Sequence, residues 1–370
     1  MKSVQIIVKY WEKWGWQLMA IVLLICSFFS DFVQMVYTKF MFKWLTMGLR
    51  RVTGGIHFAL GEFIYILLLI ILIYNILKRL YKLKYQLKVS FSFIGILYLL
   101  SKWISIFLVI FELIWGLNYQ QTSPAKEFNI KVPKSYSEKQ MDSLSLALIR
   151  QLNETRAKIL DSNLMSLKPD TLLKHTIKHF SSISQQYPFL SYSYPNVKWA
   201  QLPRLGDYIG YLAFYHPLTG EAIVRNDLPI LTLPFTISHE IAHQLGYASE
   251  TEANFIAFVL ATNANDPFFE YAMQLQLFTY SQEAQLLMIA KTGDYKKWEA
   301  IIKRNKALLA PKVLTDRQKI RDFFSASQNQ RIPGSEKLYD QFLIWNKQSN
   351  GLHSYNDVLL WALAYQKKVH

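Results

Sequence analysis

The sequence predicts a membrane-anchored α+β chain: three transmembrane helices, then a mostly helical extramembrane domain that carries a small antiparallel sheet. Three observations predict it. Nearly all the long apolar runs fall before residue 120. Charged residues make up only 18% of the chain, against roughly 25% in soluble domains, and the deficit sits in those runs. Beyond residue 120 helical periodicity continues in more polar company, interrupted by one strand–turn–strand pattern.

Residues 1–119 are expected to form the membrane region, with spans at about 14–37, 56–77 and 93–119. A spanning helix needs roughly 20 apolar residues, and each stretch is long enough. The first contains Leu18 to Ile25, the second is uncharged from Phe63 to Tyr74, and the third encloses Lys102 and Glu112. No small-residue cleavage site follows the first run, so it reads as an uncleaved anchor rather than a signal peptide. The lone cysteine, Cys26, excludes an intrachain disulfide. Leu23-Leu24-Ile25 before it lacks the small residue that lipoprotein processing needs. Glu62 and Glu112 fall near the outer ends of their spans, where they reach water, and Lys102 is expected to snorkel or pair within the bundle.

Basic residues in the short loops set the orientation. Lys2, Lys9 and Lys13 precede the first span, and Lys78, Arg79, Lys82, Lys84 and Lys88 lie between the second and third. The first loop offers Lys39, Lys43, Arg50 and Arg51. The expected arrangement is an inner-membrane, multi-pass protein with a cytoplasmic N-terminus and residues 120–370 extracytoplasmic. The net charge of +15 is concentrated around the membrane region. That favours a lipid bilayer as partner and argues against nucleic acid.

In the domain, residues 138–182 read as largely helical. His175 and His179 there stand four apart on a Lys-rich surface without a nearby carboxylate, so they are expected to be solvated or interfacial. Tyr208 to His216 and Glu221 to Arg225 read as strands joined by the turn Pro217-Leu218-Thr219-Gly220. From Glu252 onward the pattern is helical, with breaks near Asn263–Pro267 and Pro333-Gly334.

The chemistry is concentrated in Ser238-His239-Glu240-Ile241-Ala242-His243-Gln244-Leu245-Gly246. Residues four apart share a helix face, so His239 and His243 can aim their rings at one ion while Glu240 takes a proton from water on it. Ile237, Ile241 and Leu245 follow the same step on another face, and Gly246 stands where a helix-ending glycine belongs. Catalytic zinc usually takes three protein ligands and leaves one position open. Glu250 is the expected third ligand and Glu252 the alternative, because Ser249 and Glu252 have capping-box spacing. Ala253 and Ala257 allow close helix approach, and Asn254 is placed to hydrogen-bond a ligating histidine.

The His-Glu-x-x-His pair followed by Glu250-x-x-Ala253-Asn254 resembles the gluzincin metallopeptidases, although only six residues separate His243 from Glu250. Ser249 replaces the third histidine of metzincins. The whole chain also resembles an uncharacterised bacterial three-span family with an external zinc-peptidase-like domain. Trp115 to Tyr119, Thr219 to Ala222, the His239–Asn254 segment, Tyr339-Asp340 and Ser354-Tyr355 carry that likeness. The resemblance implies a zincin-like domain holding one zinc ion per chain.

The expected activity is metal-assisted hydrolysis of peptides or proteins of the cell envelope, with Glu240 as general base. Tyr271 and Tyr355 are the oxyanion candidates. The strand around Tyr211–Phe214 is expected to pair with an extended substrate. A non-catalytic zinc-containing sensor or scaffold is the alternative, although it has no need of Glu240. An intramembrane protease is disfavoured, because polar residues bound the motif helix on both sides.

Overall fold

A computed structural model describes residues 2–85, 93–328, 330–334, 337, 341 and 357–369. The membrane region opens with α1 (Lys2–Cys26). The chain turns through 101° into a second helical limb, α2 (Ser30–Thr53), of which Val33–Phe42 has π-helical pitch. The long apolar helices α3 (Leu60–Tyr85) and α4 (Phe93–Ile114) follow. Among the described residues, two helices are long and apolar enough to cross a membrane, at Leu60–Lys78 and Ile94–Ile114, or three if the bent α1–α2 pair is one span.

The expected straight span at 14–37 is thus corrected: the helix ends at Cys26, inside the apolar run. The Ser27 hydroxyl takes the Leu24 carbonyl. Beyond the bend Tyr37 donates to the Leu113 carbonyl at the end of α4 (2.9 Å), and Val33, Tyr37 and Phe42 bury against Leu117. Apolar composition cannot report a bend set by contacts this distant in sequence. The other two runs are trimmed, beginning at Leu60 and ending at Ile114. α1 and α4 lie alongside each other in parallel: Tyr98 donates to the Lys13 carbonyl (2.7 Å), and Gln17 to Ser101 (3.3 Å).

The domain is built from α5 (Glu138–Ala157), α6 (Pro169–Gln186), a small sheet, α7 (Leu233–Gln244), α8 (Glu250–Thr262), α9 (Pro267–Ala290), α10 (Tyr295–Leu308), α11 (Pro311–Gln328) and α12 (Val358–Val369). The single helical stretch expected over 138–182 is three helices, α5, a short one at Asp161–Ser166, and α6 starting afresh at Pro169, whose missing N–H costs nothing at a helix start. The expected hairpin is present but shorter, as β2 (Ala213–His216) and β3 (Glu221–Val224), because Leu205–Ile209 is helical instead. β1 (Val197–Trp199) adds to the far side of β3 in parallel, Val197 opposite Ala222. The sheet is therefore mixed, in the order β1-β3-β2, rather than wholly antiparallel.

One apolar core runs through α5, α7, α8, α9 and α12, centred on Leu148, Leu152, Ile237, Ile241, Phe255 and Phe278. α9 lies along α5, where Ser145, Ser281 and Gln285 make a buried hydrogen-bonded row. Arg156 closes the far end, donating to Asp316 (2.7 Å) and Asp161 (2.6 Å); Asp316 is buried and Asp161 is half exposed. His179 faces Asp266 at 3.6 Å, a role at an internal contact, as the sequence suggests.

The membrane region is tied to the domain through polar groups. Glu221, fully buried, accepts from the backbone N–H groups of Leu60 (3.1 Å) and Gly61 (2.7 Å), the first residues of α3. Glu62 accepts from the Gln201 backbone. Thr53 at the end of α2 donates to the Thr219 carbonyl (2.8 Å) and accepts from Asn196 (2.7 Å).

Removing one partner of a buried ion pair strands the other charge. Asp316→Ala is therefore expected to lower stability by about 3–5 kcal/mol, while Asp161→Ala, at a solvated carboxylate, leaves the midpoint nearly unchanged. Thermal unfolding of the two purified variants in one detergent checks the contrast.

Candidate metal centre

The site is made where α7 stops and α8 begins. Leu245 ends α7, and Gly246 takes φ +97°, a conformation strained for any residue with a Cβ. The Gly246 N–H bonds the His243 carbonyl and the Tyr247 N–H bonds the Ala242 carbonyl, the pairing of a Schellman stop. A Cβ on Gly246 would also stand 2.6 Å from Gln121 Oε1 and 2.9 Å from the Phe42 ring. Glycine is thus required by both conformation and space. The sharp turn lets α8 start at Glu250 and run back against α7. Ala253 and Ala257, both buried, keep the two helices close, as the sequence suggests.

His239, His243 and Glu250 are buried and offer ligand atoms that all lie within 4.8 Å of one another. His239 Nε2 is 3.1 Å from Glu250 Oε2, and His243 Nε2 is 3.9 Å from Glu250 Oε1. Donors about 2.1 Å from one tetrahedral ion stand about 3.4 Å apart, so the spacing suits a shared ion. The outer nitrogens are fixed. His239 Nδ1 meets Asn254 Oδ1 at 2.7 Å, and His243 Nδ1 meets the Tyr247 carbonyl at 2.7 Å. Both partners are oxygens that only accept, so each Nδ1 carries the proton. Each Nε2 lone pair is then turned toward Glu250.

The surroundings are short of positive charge. Burial pushes Glu240 up to about 8, the Glu250 charge adding to it and His239 opposing. Burial draws His239 down, but Glu250, Glu240 and Asn254 outweigh it and hold the ring above its ordinary value. Burial, with the charge of His239, pushes His243 down to about 4. Two carboxylates and two imidazoles enclosed in this way favour a cation among them. Glu240 lies beside His239, and its buried Oε2 has no hydrogen-bond partner. The group can hold a metal ion, and the residues present fit one.

The family model described as "Protein of unknown function (DUF3810)" matches residues 37–363. The chain belongs to the DUF3810 family. Searches of the curated proteins and of the solved structures returned no match. The match runs from within α2 into α12, so most of the α2 limb and the whole metal group fall inside the matched stretch.

The structure brings His239, Glu240, His243, Glu250 and Asn254 together as the sequence suggests. It does not build the capping box: Ser249 is the residue before α8, but its side chain makes no cap bond. Glu252, the alternative ligand, is half-buried and bonds Ser123 instead, a partner no local spacing could reveal. Tyr271 is committed elsewhere. It lies wholly buried on α9 and donates to Asp316 (3.0 Å), which also holds Arg156. Tyr355 lies outside the described residues, as do Tyr339, Asp340 and Ser354.

Three further aromatic residues, to which the sequence assigns no role, stand near the group. Trp115 meets the His243 ring edge-on at 5.5 Å. Tyr119, half-buried, is pushed up by burial and by the nearby Glu250 charge, and Tyr280 on α9 feels the same carboxylate. Trp115 and Tyr119 belong to the stretch that carries the family likeness. Their position directly after a span hid the link to a motif more than a hundred residues on. Tyr280 gives no local signal at all.

Glu250→Gln is expected to abolish stoichiometric divalent-metal binding, while Glu252→Gln stays loaded. Asn254→Ala, which frees the His239 ring, is expected to weaken metal affinity about 10–100-fold. Elemental analysis and competition with a chelating dye distinguish the three variants.

Proposed function

We propose that this protein is a membrane-anchored zinc metallopeptidase acting on peptides or proteins of the cell envelope. The observation that carries the reading is the convergence of His239 Nε2, His243 Nε2 and Glu250 around one point, with the buried, unpaired Glu240 oxygen beside it. Two imidazoles and one carboxylate are a donor set suited to zinc, and one of the gluzincin type. Zinc bound there supplies a Lewis acid and makes water a nucleophile near neutral pH.

The chain's own residues supply the rest. Asn254 and the Tyr247 carbonyl hold the two rings in one tautomer, so neither has to reorganise during turnover. Glu240 accepts the proton of the attacking water and passes it to the departing amine. Its raised affinity for a proton suits both steps near neutral pH. Tyr119 is the side chain nearest in character to an oxyanion donor, being half-buried and close to Glu250. β2 is an edge strand, and an extended peptide laid along it would gain backbone hydrogen bonds.

The orientation read from the basic residues is part of the proposal: N-terminus inside, domain outside. The parallel packing of α1 on α4 supports one half of it, the placing of N-terminus and domain on opposite sides, because parallel first and third spans leave on the same side; which side is inside rests on the basic residues. Arg50 supports it too. It is buried in the domain, donating to the Gln244 carbonyl at 2.9 Å, and so drops out of the first loop's positive count.

Glu240→Gln is expected to keep about one zinc per chain and lose hydrolysis of a degenerate peptide library by about 10²–10⁴-fold. A chelator should abolish wild-type hydrolysis and added zinc restore it. A Glu240→Gln enzyme that cleaves as well as wild type sinks the assignment.

A further inference from the structure

The α2 limb, Ser30–Thr53, is amphipathic and turned away from the helix before it. It begins 101° from the direction of α1, and α1 packs parallel to the apolar helix α4, so α2 runs nearly in the plane of a bilayer that α4 crosses near the normal. Its two faces differ sharply. Val33, Tyr37, Phe42, Thr46, Arg50 and Thr53 are buried, at steps of three to five residues. On the other face Phe32, Met35, Phe40, Trp44 and Val52 stand exposed, between 52% and 77%. Lys39 and Lys43 are exposed among them. A helix with one large apolar face, flanking lysines and a direction across the spans has the form of an interfacial helix.

The buried face reaches the metal centre. Arg50 donates to the carbonyl of Gln244, the residue after His243. Phe42 lies against Gly246, the turn between His243 and Glu250. From the neighbouring span, Trp115, one residue past the end of α4, lies against the His243 ring. Three independent contacts therefore put the metal group within a side chain's length of α2 and of the end of α4.

We propose that α2 lies in the outer headgroup layer with its exposed apolar face in lipid, and that the metal centre cleaves polypeptide held at that same surface: the juxtamembrane stretch of membrane-anchored proteins. The partner surface is the bilayer itself, because α2 continues directly from α1 and is braced on α4. The substrate half of this inference rests on the peptidase reading above.

The test uses the full chain in nanodiscs of phosphatidylethanolamine and phosphatidylglycerol. In a Cys26→Ser background, Phe40→Cys and Trp44→Cys carry a fluorophore, with Lys303→Cys on the domain as control. Lipids brominated on the upper acyl chain should quench the first two labels several-fold and leave the third unchanged. Labels shielded from water yet unquenched mean that a second copy of the chain covers this face, and overturn the lipid assignment. Fully hydrated labels overturn it as well. In the second arm a degenerate peptide library, palmitoylated at its N-terminus, is offered to the zinc-loaded protein and the cuts are mapped by mass spectrometry. Cuts are expected within about five residues of the anchor, a reach of roughly 17 Å. Cuts only beyond about twelve residues, roughly 40 Å out, or scattered without regard to the anchor, overturn the surface-substrate inference and leave the peptidase reading standing. If neither this library nor its unacylated counterpart is cut, the peptidase reading itself fails.

Discussion

The metal group depends on one backbone constraint, the reversal at Gly246. His243 ends one helix and Glu250 begins the next, and both must face the same point. A longer loop would let α8 drift and would add ordering entropy to every binding event. The left-handed glycine stops α7 within one residue, and the turn's next carbonyl, that of Tyr247, bends back to hold His243. One short segment thus supplies the stop, the return and the orientation of a ring. Asn254, one turn into α8, orients the other ring from the facing side.

What was legible in the sequence follows from how local the cause was. The His239–His243 face, the Gly246 stop, Glu250 and Asn254 are all set by helical periodicity and a short connection, so spacing alone locates them. Glu252 shows the limit. Its spacing from Ser249 is that of a capping box, yet the tertiary partner Ser123 takes it. β1 is three residues, Val-Lys-Trp, too short for alternation to register, and exists because β3 offers an edge. The bend after Cys26 lies inside an unbroken apolar run. Hydropathy measures transfer to lipid, and what turns the chain is a contact between Tyr37 and the end of α4. Tyr271 was a reasonable candidate by residue type, and only its Asp316 bond shows that its hydroxyl is engaged.

The division between membrane region and domain is real in composition but not in packing. The Glu221 side chain accepts from the backbone of α3, and the Arg50 and Thr53 side chains of the limb donate to backbone carbonyls of the domain. These bonds are buried, so each is expensive to break. Arg50, Thr53, Asn196 and Gln244 form one connected group, with Gln244 also donating to the Asn196 and Gly220 carbonyls. The helix that bears the histidines is therefore fixed to α2 rather than suspended on a tether.

Glu221 has a consequence for how the protein is made. A helix start leaves several backbone N–H groups without partners, and inside an apolar environment each such group is costly. For α3 two of them are satisfied by a carboxylate that lies 160 residues further along the chain. The spans are synthesised and threaded into the bilayer long before that carboxylate exists. During that interval the head of α3 must stay at the water layer, where solvent can serve its N–H groups. Its N–H groups find their final partner only after the domain has been made, has folded its sheet and has docked on it. Assembly of this protein is therefore not insertion followed by independent folding, since the last-made part completes the first.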